Sequence, residues 1–260
     1  MRRVGWLAGA TATVLAICLV VPLLVVMASS FNPTNEFAVP PRGLSLRWYA
    51  HAFRRGAFLA GFWFSLELAV VSTTCSLIIG LLAAVALVRR RFRGRELLAT
   101  LLLSPLIVPQ VVLGMSLLIL LSRLGIVSST IGLGILHVIL TLPYTVRVLS
   151  AALTRFPLSL EEAAVVHGAP RPVAFLLVTL PSIKPGVVTA AIFAFVTSFD
   201  NFTATQFLTW DRTTLPVEIY SYIRTENDPT VSAISTLLIL GTVGIVLLAE
   251  RWVGLDTFTG

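Results

Sequence analysis

The sequence predicts an all-α membrane protein, a polytopic bundle of six transmembrane helices. Composition supports this prediction, because hydrophobic residues make up 57% of the 260 residues and charged residues only 12%. A soluble domain carries roughly 25% charged residues, so a chain with this little charge has lipid rather than water as its solvent. The apolar runs are also long enough, since a helix needs about 20 mostly apolar residues to cross a bilayer.

Six runs reach that length, and none alternates in polarity as the strands of a membrane barrel would. They cover residues 6–28, 62–88, 97–121, 131–153, 183–208 and 231–253. The first run follows Arg2 and Arg3 as a signal peptide would, but its apolar stretch exceeds the roughly 7–15 residues of a signal core. We therefore expect an uncleaved anchor and outer loop over 1–61, a membrane core over 62–253 and a cytoplasmic tail over 254–260.

Basic residues set the orientation of these spans and account for the net charge of +7. If there are six spans, most of them fall on one side: Arg2, Arg3, Arg89, Arg90, Arg91, Arg93, Arg95, Arg155, Arg171 and Lys184. The positive-inside rule makes that side the cytoplasm, which places both termini there. Because membrane orientation accounts for the basic residues, we do not expect the chain to bind nucleic acid. Arg42, Arg47, Arg54 and Arg55 lie outside, where residues 48–55 are expected to form a short interfacial helix.

The sequence gives no sign of catalysis. Lys184 is the only lysine and follows Ile183, so the chain has no GxxxxGK[ST] loop to cradle a nucleotide phosphate. His51, His137 and His167 are far apart in sequence and lack metal-ligand spacing. We expect no catalytic residue, cofactor or metal in this chain, so energy must come from a partner or from an ion gradient.

The link between the fourth and fifth spans, residues 157–181, carries its own helix signals. Ser159 followed by Glu162 fits a capping box, and Gly168 stands where a helix would end in the left-handed conformation. These signals predict a helix over 160–167. A second short helix can start at Pro172 and be closed by Pro181.

The first of these helices is expected to present a small apolar face, because four of its residues fall at helical spacing. They are Leu160, Ala163, Ala164 and His167. Such a face permits close approach by another protein, or the loop instead folds against its own bundle.

The link also has a motif with defined spacing. Glu162-Ala163-Ala164 is followed by three residues and Gly168, and nine more lead to Val178, Thr179 and Leu180-Pro181. This pattern resembles the EAA loop of type I ABC importer permeases. Val178 replaces the usual Ile, and Pro170 and Pro172 depart from the pattern. The resemblance extends from about residue 62 to the last span, with an added N-terminal span.

The resemblance implies that 157–181 is a coupling helix for a separate ATPase. The coupling residues would be Leu160, Glu162, Ala163, Ala164, His167, Gly168, Leu180 and Pro181. The implied partners are a dimer of ATP-binding subunits that holds ATP and Mg, a second and different permease, an extracytoplasmic solute-binding protein and lipid. The implied location is the bacterial inner membrane.

Polar residues within the apolar runs are candidates for the translocation path, because charge in lipid usually faces a cavity or a partner. For Glu67, near the end of the second span, a structural ion pair or an interfacial position is favoured. For Asp200 and Asn201, a lining of the path and a structural role stay equally open.

A second resemblance lies around these residues. Ser198-Phe199-Asp200-Asn201, Thr214-Leu215-Pro216 and Ile219-Tyr220 look like the second permease of spermidine/putrescine importers. A polyamine is therefore the implied solute. The alternatives are an ion-gradient-driven secondary transporter, which predicts two related halves, and a membrane enzyme, which predicts a catalytic cluster. Neither feature is visible.

Overall fold

The computed structural model describes residues 2–36 and 40–253, so the predicted tail at 254–260 lies outside it. The described residues contain helices and no strand, in agreement with the all-α prediction. The helices are α1 (Arg2–Ser29), α2 (Arg47–Arg54), α3 (Gly56–Arg89), α4 (Arg95–Leu103), α5 (Gln110–Arg123), α6 (Ser129–Arg155), α7 (Leu158–Val166), α8 (Arg171–Ala174), α9 (Leu180–Ser182), α10 (Lys184–Phe199), α11 (Leu215–Thr225) and α12 (Thr230–Val253).

Four of these helices, α1, α3, α6 and α12, are long and apolar enough to cross a membrane. They correspond to the first, second, fourth and sixth predicted spans. Two bent helix pairs bring the number to as many as six, and these pairs correspond to the third and fifth predicted spans. The short helix expected at 48–55 is α2.

The third span was predicted as one helix over 97–121, and that prediction is wrong. Helices α4 and α5 are separated by a short 3₁₀ turn, Ser104–Leu106, and the bend across the break is 103°. Pro105 lies in this turn and Pro109 precedes α5. A proline removes a backbone donor and clashes with the carbonyl four residues earlier, so two prolines this close interrupt the helix.

The fifth span was predicted over 183–208, but α10 ends at Phe199. The helical segment Arg171–Ser182 precedes it with a bend of 72°. Pro185 lies in the first turn of α10, where its missing backbone N–H leaves no helical hydrogen bond unmade. After Phe199 the helix ends, and the Asn201 side chain accepts hydrogen bonds from the Ala204 backbone N–H and the Thr205 hydroxyl.

Residues 1–59 and 218–245 form one compact unit. In it, Trp48 of α2 is buried and donates its indole N–H to the Asn32 carbonyl at 2.7 Å. The Ser30 and Tyr49 hydroxyls share a hydrogen bond of 2.6 Å. These contacts hold α2 against the segment that follows α1.

Residues 60–217 and 246–253 belong to the second unit. Two buried apolar clusters lie within it, one around Leu133, Leu136 and Leu208 and the other around Leu149 and Ile183. Helices α6 and α10 approach closely, since a Cβ added at Gly186 would lie 2.6 Å from Ala152 Cβ.

The start of α6 is held by a loop residue that the sequence did not single out. Asp211 accepts a hydrogen bond of 2.8 Å from the Ser129 backbone N–H. This bond lowers the pKa of Asp211, because it favours the charged carboxylate.

Candidate functional site

The predicted helix in the 157–181 link is present as α7, but the predicted capping box is wrong. Pro157 occupies the N-cap position in an extended conformation, and no side chain caps the helix. Ser159 is therefore already inside the helix, too late to accept from the first free N–H groups. Glu162, which the capping box would have used, is exposed.

Gly168 ends α7 as the sequence predicts. Its φ is +94°, in the left-handed region. Ala169 N–H donates to the Ala164 carbonyl at 3.1 Å, and Gly168 N–H to the Val165 carbonyl at 3.0 Å. This pair of bonds is a Schellman motif, and it redirects the chain towards α8.

The second helix of the link departs from the prediction at Pro181. The helical segment runs from α8 through a π-turn, Phe175–Thr179, into α9, so Pro181 does not close it. In a continuous α-helix the proline ring would clash with the carbonyl of residue 177, and a wider turn directly before it relieves that clash. Leu180 packs on the cluster around Leu149 and Ile183, whereas Pro181 is exposed.

Glu161 ties α7 to the membrane helices, a role that the sequence analysis did not assign to it. Its carboxylate accepts from Arg89 Nη1 of α3 at 2.6 Å and from the Thr179 hydroxyl. Arg89 Nη2 also donates to Thr179 Oγ1 at 3.3 Å. The Arg89 and Glu161 side chains are only 15% and 13% exposed. No local pattern relates residues 89 and 161, so only the folded chain reveals the pair.

The other side of α7 is open to solvent. Leu160 is 51% exposed and Val166 85% exposed. Ala163 and His167 are exposed as well, whereas Ala164 is half-buried. The predicted face is thus rotated, because Val166 joins it and Ala164 turns towards the bundle. One side of the helix contacts its own chain, and the opposite side is uncovered.

Asp200 and Asn201, the predicted path residues, have different surroundings. Asp200 follows the last residue of α10 and is exposed. Asn201 is buried and donates to Gln110 Oε1 at the start of α5, at 2.9 Å. Its own Oδ1 accepts from Ala204 N–H at 3.2 Å and from Thr205 Oγ1 at 3.0 Å. Asn201 therefore joins the breaks of the third and fifth spans.

A buried polar cluster continues from this junction into the helices. His137 of α6 shares hydrogen bonds of 2.7 Å with Ser198 Oγ and 3.0 Å with Thr205 Oγ1. Ser198 also contacts the Ser72 hydroxyl of α3 at 2.9 Å. The sequence carried a usable signal, since His137, Thr141 and Thr145 repeat every four residues along one face of α6. The cluster links three helices through neutral groups.

Glu67 has the ion pair that the sequence reasoning favoured. Its carboxylate lies 3.1 Å from Arg212 Nη2, and the Arg212 guanidinium stacks 3.9 Å from the centre of the Phe64 ring. Both charged side chains are about half exposed. Arg212 lies in the loop before α11, not on another span.

The chain matches known proteins over most of its length. The family described as binding-protein-dependent transport system inner membrane component matches residues 76–254. The putrescine transport system permease protein PotI of Escherichia coli K12 is 34% identical over 233 residues, which cover 86% of this chain and 82% of PotI. The spermidine/putrescine transport system permease protein PotC of the same strain is 29% identical over 255 residues, or 98% of this chain and 96% of PotC.

Solved structures share the fold. A chain of a bacterial ABC transporter that imports alginate aligns with a TM-score of 0.68 at 15% identity, covering 96% of this chain and 95% of that one. A chain of the methionine ABC transporter MetNI, in an inward-facing conformation, aligns with a TM-score of 0.61 at 21% identity, covering 77% and 96%. The resemblance to ABC importer permeases is confirmed, and a secondary transporter or a membrane enzyme is not supported. The chain belongs to the family of inner membrane components of binding-protein-dependent transport systems, and it is a non-catalytic permease subunit of an ATP-driven importer.

Proposed function

We propose that this permease subunit moves a polyamine such as spermidine or putrescine into the cell, driven by ATPase subunits that dock on the 157–181 link. A dimer of ATP-binding subunits holds ATP and Mg, a second and different permease completes the membrane part, and an extracytoplasmic binding protein delivers the solute. Both termini are cytoplasmic. ATP hydrolysis is transmitted as a rigid-body movement of the link, one of the known modes of switching.

The observation that carries the coupling role is the two-sided environment of α7. Glu161 anchors the helix to α3 through a hydrogen-bonded ion pair, so the helix moves with the bundle rather than independently of it. The opposite side exposes Leu160 and Val166 together with Ala163. An apolar face on an aqueous link has a free energy cost until a partner covers it, and the small Ala163 side chain lets that partner approach closely.

The test is Ala163→Trp in the assembled importer, with Ala163→Ser as the size-matched control. A large side chain cannot enter a groove shaped for a methyl group. We therefore expect Ala163→Trp to abolish solute-stimulated ATPase activity and to weaken copurification of the ATPase, while the permease alone inserts and melts normally. A destabilised permease with undiminished affinity for the ATPase would instead show that the loop only packs on its own bundle.

Crosslinking gives an independent test of the docking surface. Val166→Cys, in a background where Cys18 and Cys75 are replaced by Ser, places a reactive group at a position of α7 that is 85% exposed. A crosslinked product with the ATP-binding subunit is expected. Its absence across several reagent lengths would contradict the docking role.

The polyamine proposal is supported by the relatives named for putrescine and spermidine and by Asp200. That carboxylate is exposed where α10 ends, and a helix C-terminus carries partial negative charge. Both features favour an ammonium group nearby. The binding protein and the second permease can contribute to solute selection together with these two features.

A further inference from the structure

A cavity of about 600 Å³ lies between the second half of α6, the beginning of α7 and the beginning of α10. Leu160 lies at its edge and also belongs to the exposed face of α7, whereas the polar cluster around His137 is not part of its lining. Its lining contains Arg147 and Arg155 but no acidic residue. The positive charge of the two arginines is therefore not balanced by an acidic residue in the cavity lining.

The two arginines differ from Arg89 and Arg95, which both have partners within the chain. Arg89 is paired with Glu161, and Arg95 donates to the Leu87 carbonyl at 2.7 Å. Within the part of the chain that the structure describes, neither Arg147 nor Arg155 has an ion-pair or hydrogen-bond partner. Arg147 belongs to a membrane-spanning helix, where an unpaired charge is costly. An anion from outside the chain removes that cost.

The position of the arginines fits the headgroup level of a membrane. Arg155 is the last residue of α6, and Arg147 lies eight residues earlier, about 12 Å deeper along the helix axis. The long side chain of Arg147 can reach outward from that depth while its methylene groups stay on apolar surface. Both residues line the same cavity.

The walls of the cavity are apolar, and several are small. Val148 and Ala151 of α6 face Pro185 and Gly186 of α10 across it. Small side chains leave space that a hydrocarbon chain can fill with apolar contacts. A free inorganic anion has no apolar part that could make such contacts. The combination of an unpaired basic rim and an apolar wall matches a phospholipid.

We propose that this cavity binds an anionic phospholipid of the cytoplasmic leaflet, with its phosphate at Arg147 and Arg155 and an acyl chain against Val148, Ala151 and Pro185. The side of the membrane follows from the orientation proposed above. Basic pockets between helices at the cytoplasmic side are a known form of lipid site. The lipid would stabilise the junction between α6 and the link.

The test uses the assembled importer in nanodiscs of phosphatidylcholine with a titrated fraction of phosphatidylglycerol, followed by native mass spectrometry of the lipid retained. Each arginine near an anionic headgroup contributes about fivefold in affinity, so the Arg147→Gln/Arg155→Gln double variant should bind phosphatidylglycerol roughly 25-fold more weakly. Ala151→Phe keeps both charges but fills the apolar wall, and it should also lower retention. Bound lipid is measured directly, so failure of ATPase coupling would not affect this readout.

The matched control is Arg91→Gln/Arg93→Gln, which removes the same charge from exposed positions of the α3–α4 link, outside the cavity. Equal loss in this control, or no loss in the Arg147/Arg155 variant, would overturn the proposal. So would stabilisation of the complex by inorganic phosphate in pure phosphatidylcholine, which would indicate a free anion. Lipid bound to the isolated permease but absent from the assembled importer would show instead that a partner subunit covers the cavity.

Discussion

Replacing Glu161 should uncouple the link from the membrane helices while leaving α7 itself helical. The perturbation is Glu161→Ala, and the matched control is Glu162→Ala, the adjacent residue with the same charge. Glu161 contacts Arg89 and Thr179, whereas Glu162 is exposed. Family resemblance alone would single out Glu162, because it belongs to the Glu-Ala-Ala sequence, so the two variants separate the structural argument from the motif.

The magnitude follows from the contacts that are lost. Hydrogen bonds to a charged group contribute about 1.5–3 kcal/mol each, and removing one partner of a buried ion pair costs about 3–5 kcal/mol because the other charge stays unpaired. With 13–15% of each side chain exposed, water reaches the Arg89 guanidinium partially, and we expect about 2–4 kcal/mol for Glu161→Ala. Glu162→Ala should change the free energy of the link by less than about 0.5 kcal/mol.

The measurement is solute-stimulated ATPase activity and uptake in proteoliposomes, at matched amounts of assembled importer. Glu161→Ala should lower both activities by at least about tenfold, because 1.4 kcal/mol already corresponds to a tenfold change in population. Hydrogen exchange of residues 158–166 should rise relative to the control. A double-mutant cycle with Arg89→Ala should give a coupling energy of about 1–3 kcal/mol.

Two results would refute this reasoning. Full activity of the Glu161→Ala variant, matching the unaltered importer, would mean that the Arg89 contact does not hold the link. A coupling energy near zero in the cycle would mean that the ion pair contributes nothing measurable.

The remaining predictions concern shape, substrate and orientation. Gly168→Val should impair uptake more than Gly168→Asn, because a residue with a Cβ at positive φ costs about 1 kcal/mol and a β-branched one more. The control is Gly134→Val, which should be tolerated because an added Cβ also meets open space there but φ is not positive. Equal uptake for all three variants would contradict the argument from backbone conformation. Asp200→Asn should reduce polyamine uptake while leaving assembly and basal ATPase activity intact; loss of assembled complex would point to a structural role instead. Reporter fusions at Arg93 and at the C-terminus should report a cytoplasmic location and a fusion at Tyr220 an extracytoplasmic one, and an extracytoplasmic signal at Arg93 would contradict the proposed topology.

Features that depend on neighbouring residues were predictable from the sequence. The four long helices follow from long apolar runs. The left-handed conformation of Gly168 follows from its position directly after the short helix α7. Both are decided within a few turns of chain, where helix propensity and the need to satisfy backbone groups in lipid leave few choices.

The wrong predictions of a continuous third span and of a capping box also have a local cause, because a proline near each site competes with the apolar or capping pattern around it. Pro105 and Pro109 interrupt the third span even though the surrounding run is mostly apolar. Pro157 occupies the cap that Ser159 was expected to provide. In each case the restriction on the proline backbone was stronger than the pattern around it.

Composition and spacing along the chain were enough to predict that the chain lies in lipid, where its four long helices run and which link carries the family motif. Only the tertiary structure decided which glutamate of the link faces the bundle, where the fifth span stops and which polar groups His137 joins. Arg89 and Glu161 are 72 residues apart, and Gln110 and Asn201 are 91 residues apart. Contacts at such separations depend on how the helices pack, because a buried polar group must find its partner wherever the fold places one.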